Sequence, residues 1–184
     1  MVIKKSKGKE WYSIIAPEYF GGKEIGKTLT AEPQSLVGKK LTIGVSELTN
    51  NFSKYYMKFH FKVTSVNGTV VKTQFDGSEC LRDYISRMVL RRIRRIDTIQ
   101  DLTTKDGVKL RVKGLALIYR RIKESVKAGV KALVSDIIKS EVENSTLEEF
   151  INKIISDEIK HKIVKEARKI YPLRNFEIRK VEVA

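Results

Sequence analysis

An α+β chain, mostly antiparallel in its strands, is what the sequence predicts, and three observations carry that expectation. Residues 56–63, YMKFHFKV, alternate apolar and polar as a half-buried strand does. Apolar residues recur at helical spacing over 79–95, 120–140 and 147–171. Turn signals, Asn67-Gly68 and Thr104-Lys-Asp-Gly107, sit between strand-like runs and imply hairpins.

Taken in order, residues 1–10 carry Lys4, Lys5, Lys7 and Lys9 and almost nothing apolar. They cannot build a core and read as a basic N-terminal arm that orders on a partner, frayed in the free protein. The remainder, 11–184, reads as a single α+β domain. Strand signal begins near Thr28. In 56–63, Met57, Phe59, Phe61 and Val63 face one way and Lys58, His60 and Lys62 the other. The return strand, 69–75, places Val71, Thr73 and Phe75 on one face. Matching these faces predicts a three-residue loop, Val66-Asn67-Gly68, with Gly68 left-handed.

Asp76-Gly-Ser-Glu79 resembles a capping box, so a helix is expected from about Glu79 to Arg95. On that helix Arg87, Arg91 and Arg94 would form one ridge opposite Leu81, Ile85, Met88 and Val89. Arg82 and Arg92 would fall in or beside the apolar sector and must snorkel, pair or meet a phosphate. Strands near 96–103 and 108–118 follow, the second alternating Leu110 and Val112 with Lys109, Arg111 and Lys113. A helix over 120–140 turns Ile122, Val126, Val130, Leu133 and Ile137 inward and Arg120, Lys123, Lys127 and Lys131 outward. Ser145 or Thr146 with Glu148 or Glu149 caps a helix of about 147–156, and another runs over about 157–171 to Pro172. In the last strand Phe176 and Ile178 share one phase and Val181 and Val183 the other, which predicts a bulge at Arg179-Lys180.

At 184 residues the chain can bury about 70% of its unfolded surface without staples. A single cysteine, Cys80, excludes an internal disulfide and a cysteine-cluster zinc site and fits a reducing, cytoplasmic compartment. No 18-residue apolar run exists, and the basic start lacks the apolar stretch of a secretory signal. Charge is the dominant signal. There are 37 Lys and Arg against 22 Asp and Glu, a formal +15. Such a balance repels itself unless a polyanion screens it, and nucleic acid is the commonest one.

The excess is polarised. Residues 105–131 hold nine cations against two acids, whereas 136–158 hold seven acids against two cations. Residues 87–97, RMVLRRIRRID, hold five arginines among eleven residues. Arginine suits two-pronged phosphate contacts. Absence of a helix-turn-helix or zinc finger favours RNA over DNA. Trp11, Tyr12, Tyr19 and Phe20 lie beside the arm and either stack on bases or anchor the arm to the sheet. Enzymatic constellations are absent: there is no P-loop, dinucleotide fingerprint or paired metal-ligand histidines, so no cofactor or metal is expected. Glu79 and Asp83, a carboxylate pair at i and i+4 on the expected helix, read as ion-pair partners of arginine, and Cys80 as a small core residue.

Several segments are held in common with a known family. EWYSIIAPEYF (10–20), IGKT (25–28), FHFKV (59–63), FDGSE (75–79), RDY (82–84), RRID (94–97), TKDG (104–107), YPLR (171–174) and EIRKVEV (177–183) stand in that family's order. Through them the chain resembles the archaeal and eukaryotic small-subunit ribosomal protein family S-three-a-e (eS-one in the unified naming), in its shorter, archaeal-length form. The resemblance implies a β-barrel-like core flanked by α-helices and a place on the small-subunit platform near the mRNA exit. It implies as partners small-subunit rRNA, neighbouring ribosomal proteins and mRNA, with no membrane. The RNA faces expected on that basis are the arm (Lys4, Lys5, Lys7, Lys9, with Trp11 and Tyr12), the ridge (Arg87, Arg91, Arg94, Arg95) and the hairpin (Lys105, Lys109, Arg111, Lys113). Two places depart from the family: Glu47-Leu-Thr-Asn-Asn51 stands for its Asp-Leu-Thr-Gly-Asp, and Ser78 for its histidine. The alternative reading is a free RNA-binding or mRNA-recruiting module acting outside the ribosome.

Overall fold

Alternating apolar phases organise the first half of the chain. The computed structural model describes residues 8–183, and these divide into two compact units between Gly77 and Ser78. Lys4, Lys5 and Lys7 of the arm lie outside the described residues.

The first unit holds β1 (Glu10–Ile15), β2 (Glu24–Thr30), β3 (Lys40–Gly44), β4 (Met57–Asn67), most of β5 (Val70–Cys80) and the short helix α1 (Val45–Thr49). Its strands neighbour one another in the order β2-β1-β5-β4-β3. β1 runs antiparallel to β2 and parallel to β5, and β3 antiparallel to β4. Among the described residues no pairing joins β3 back to β2, so the sheet has open ends rather than a barrel's closed ring. The expected phases are those observed: Met57, Phe59, Phe61, Val63, Val71, Thr73 and Phe75 are all buried. Phe59 and Phe75 meet edge-on at 5.5 Å between ring centroids. Each ring buried this way contributes on the order of 1.5–3 kcal/mol of transfer free energy.

Two details differ from expectation here. β1 occupies residues where the sequence suggests only an arm and flanking aromatics. Its side chains alternate, with Trp11 64% exposed and Tyr12 4%, packed in a cluster with Ile14, Leu36, Val63 and Val71. The hairpin turn is carried by Gly68 and Thr69 rather than by residues 66–68, because β4 continues through Asn67. Gly68 is left-handed as expected, at φ 59°. Asn50 ends α1 at φ 55°, in the left-handed region. Asparagine tolerates this conformation better than other residues with a side chain.

The second unit contains the end of β5, β6 (Arg94–Thr103), β7 (Lys109–Ile118) and β8 (Leu173–Val183), in the order β5-β8-β7-β6. Its helices are α2 (Arg82–Met88), α3 (Glu124–Glu143), α4 (Leu147–Ile155) and α5 (Glu158–Ala167). β7 is the central strand, and Gly114 through Ile118 are buried without interruption. The bulge in β8 falls where the phase slip placed it: Lys113 faces Lys180 and Gly114 faces Ile178, so Arg179 is the extra residue. Thr146 and Glu149 form the capping box of α4 reciprocally. Glu141 on α3 ties three helices, accepting from Lys153 of α4 at 2.7 Å and from Lys162 of α5.

The helix expected over 79–95 is the main correction. Residues 79 and 80 belong to β5, α2 spans only seven residues, and Arg94 and Arg95 open β6. The capping signal fails because the Asp76 carboxylate is taken by Lys40, at 2.6 Å. Continuing α2 would also stack Arg87, Arg91 and Arg94 along one ridge, each like-charged pair costing about 0.2–0.5 kcal/mol. Instead the chain turns, Arg92 adopts φ 73°, and Ile96 and Thr98 are buried in β6. Two smaller shifts accompany this. α3 begins at Glu124 rather than 120, and its buried stripe is Val130, Val134, Ile138 and Val142, one residue on from the expected Leu133 and Ile137. α5 ends at Ala167, ahead of Pro172.

Candidate nucleic-acid interface

Breaking the long helix redistributes its arginines. Arg87 lies in the last turn of α2, Arg91 in the turn that follows and Arg94 at the first position of β6, all three exposed. They therefore come from three local structures rather than from one ridge. In the antiparallel register Arg94 stands opposite Ile118 and Arg95 opposite Leu117.

That register brings cations together that are far apart in sequence. A cleft of about 380 Å³ has Ile93, Ile96, Ile118 and Ile122 as its apolar lining and Arg94, Arg95, Arg121 and Lys127 as its cations. Its single acid, Glu124, accepts from Lys127 at 3.2 Å. A second cleft, of about 530 Å³, carries Arg82, Arg95, Lys113, Arg179 and Lys180 with Glu79. Arg95 lines both. Its guanidinium makes two parallel bonds to Asp97, each 2.9 Å, which hold its plane in place.

The hairpin row is less free than its sequence suggests. Arg111 donates twice to Asp101, at 2.6 and 2.9 Å, directly across the β6–β7 pair. The two bonds from Arg111 hold the Asp101 carboxyl below its usual range. Lys113 contacts Glu182 at 2.7 Å, and Lys180 contacts the same carboxylate at 2.8 Å. Hydrogen bonds from Lys113 and then Lys180 lower the Glu182 pKa to about 2. Lys105 and Lys109 are exposed. Lys9 is exposed as well, and Trp11 keeps an open ring, while Tyr12 is enclosed in the core as the anchoring alternative requires.

Arg121, Arg179 and Lys180 complete the clefts without having been singled out as RNA-facing, together with Lys127 of the basic row expected on the 120–140 helix and Arg82, for which a phosphate was one expected outcome. Arg82 left a trace in the sequence, as a cation misplaced on an apolar helix face. Arg179 did so too, as the bulge residue. Nothing in the sequence points to their meeting, since residues 82 and 179 are joined only by the β5–β8 neighbourhood.

The carboxylate pair does not form. Glu79 is a strand residue 3.8 Å from Lys180, and Asp83 is exposed on α2. Cys80 is a core residue whose thiol donates to the Ile178 carbonyl at 3.2 Å. Among the described residues no group of three His, Cys, Asp or Glu side chains is placed to hold a metal ion, and no helix is long and apolar enough to cross a membrane.

Comparison with known proteins places this geometry in a lineage. The model of the ribosomal S3Ae family matches residues 2–184. The small ribosomal subunit protein eS1 of Methanothrix thermoacetophila is 37% identical, over 98% of this chain and 85% of the relative. That of Methanopyrus kandleri is 36% identical over 100% and 89%. That of Sulfurisphaera tokodaii is 36% identical over 97% and 93%. Agreement of this kind over the full span shows that the chain belongs to the ribosomal S3Ae family.

Proposed function

We propose that the chain is a non-catalytic structural constituent of the small ribosomal subunit. It binds small-subunit rRNA on the platform near the mRNA exit and so supports translation in the cytoplasm. One observation carries the RNA-binding part: eight cations line two clefts joined at Arg95. Although Asp97 pairs with Arg95 and Glu182 with Lys113 and Lys180, the clefts also hold Arg82, Arg94, Arg121 and Arg179. Each phosphate met there releases condensed counterions, so affinity falls steeply with salt. Arg95, already fixed by Asp97, contributes a pre-oriented fork, which lowers the ordering cost of binding. Arg87, Arg91 and Arg94 extend the cationic surface at the start of β6, and Lys105, Lys109 and the arm lysines supply further phosphate contacts. Neighbouring ribosomal proteins and passing mRNA complete the surroundings.

Sucrose-gradient sedimentation followed by crosslinking tests the proposal. The protein is expected to co-sediment with small subunits and to crosslink to their rRNA through the second unit. Sedimentation of most of the protein away from small subunits would overturn it in favour of a free RNA-binding module.

A further inference from the structure

Tyr119 follows β7 and is 56% exposed, so it adds little to the core. It is nonetheless held: the Arg174 guanidinium lies 5.7 Å from the centroid, over the ring. Ile118, immediately before it, and Arg121, two residues after it, both line the smaller cationic cleft. Next to Arg174 in the chain, Asn175 donates to the Met88 sulfur at 3.1 Å, joining β8 to the last residue of α2. An aromatic ring with open surface, braced by Arg174, thus follows directly on the end of β7, whose Ile118 lines a cleft that also holds Arg94, Arg95 and Arg121.

Cations alone would suit any polyanion. An open, immobilised ring adds something a duplex cannot use, because paired bases already have their faces covered by their neighbours. An unpaired base offers a free face, and stacking needs no particular base identity. We propose that Tyr119, braced by Arg174, is the stacking platform for an unpaired nucleotide whose phosphate lies in the cleft of Arg94 and Arg121. The partner at this corner is accordingly single-stranded or bulged RNA. This rests on the RNA-binding reading above and adds to it a preference for unpaired strands.

The test measures binding of the full chain to labelled oligoadenylate, to an abasic ribose-phosphate oligomer of equal length and to a blunt duplex, across a salt series. Wild type is expected to bind oligoadenylate about 5- to 160-fold more tightly than the abasic strand, the range supplied by stacking one base. Tyr119→Leu should remove that preference and leave duplex affinity and the salt slope unchanged, while Tyr119→Phe restores it. Thermal melts of each variant register any loss of fold, and the wild-type comparison with the abasic strand needs no variant. Equal binding of the abasic strand and oligoadenylate by wild type, or an equal loss on duplex in Tyr119→Leu, overturns the platform and leaves RNA binding standing. Wild type that binds none of the three overturns the RNA-binding reading itself.

Discussion

Gly114 shows how tightly a single position in β7 is specified. A Cβ built there would stand 2.6 Å from the Thr98 hydroxyl and 3.2 Å from the Phe176 ring. Both neighbours are buried, so neither has room to retreat. Gly114→Ala is expected to destabilise the protein by about 1–3 kcal/mol, the usual cost of overpacking, measurable by urea denaturation. Glu182 supplies a second residue-level expectation. Its ordinary pKa is 4.5, and contact with Lys113 and Lys180 lowers it to about 2. A carboxyl depressed by folding adds stability that is complete above its unfolded value and disappears as pH falls through the folded one. The contribution should therefore be lost between about pH 4.5 and about pH 2, and Glu182→Gln should flatten the stability curve in that window. Because the side chain is 35% exposed, added salt should shrink the difference between the two proteins. A variant whose acid denaturation profile overlays that of wild type would contradict the assignment.

Elements, rather than residues, explain the arginine-rich stretch 87–97. One segment supplies the end of α2, a turn with left-handed Arg92 and the start of β6. Apolar residues that resemble a helical stripe are shared between these pieces, with Ile96 packed in the sheet and Ile93 lining the cleft. Reversing the charge of Arg87, Arg91 and Arg94 together is expected to weaken rRNA binding without unfolding the chain, since all three are exposed. Each lost phosphate contact should flatten the slope of log affinity against log salt by about 0.7–0.9. An unchanged slope would remove these side chains from the interface. At the same scale, Glu141 illustrates how an acidic stretch is used internally. Burial pushes its carboxyl up, but the Lys153 and Lys162 ammoniums reverse this and leave it below its ordinary value. Part of the negative charge over 136–158 therefore staples α3, α4 and α5, while Glu143, Glu148 and Glu149 face outward.

Over the whole molecule, a formal charge of +15 is expressed unevenly. Ion pairs neutralise Arg111, Lys113 and Lys180 locally. Arg82, Arg94 and Arg121 remain at the clefts beside them. A polyanion that reads shape would meet this distribution along a path, not at a point. The charge balance made that class of partner an expectation from composition alone, and the ribosomal S3Ae family was legible from short segments distributed in order along the chain.

Sequence by itself determined the α+β class, the buried phases of β4 and β5, the β6–β7 hairpin, the α4 capping box and the bulge at Arg179. Each follows from side chains within a few residues of one another, where period and turn chemistry act directly. Tertiary structure decided the strand at Glu10–Ile15, the shortening of α2 and the identity of the clefts. In each case the outcome depends on a partner distant in the chain. Lys40 takes the carboxylate that would have capped a helix, β5 recruits Ile14, and β7 draws Arg94 and Arg95 into a strand. Hydrogen-bonded register with remote strands outweighs the few tenths of a kilocalorie per residue by which local propensity favours a helix, and no local pattern reports that competition.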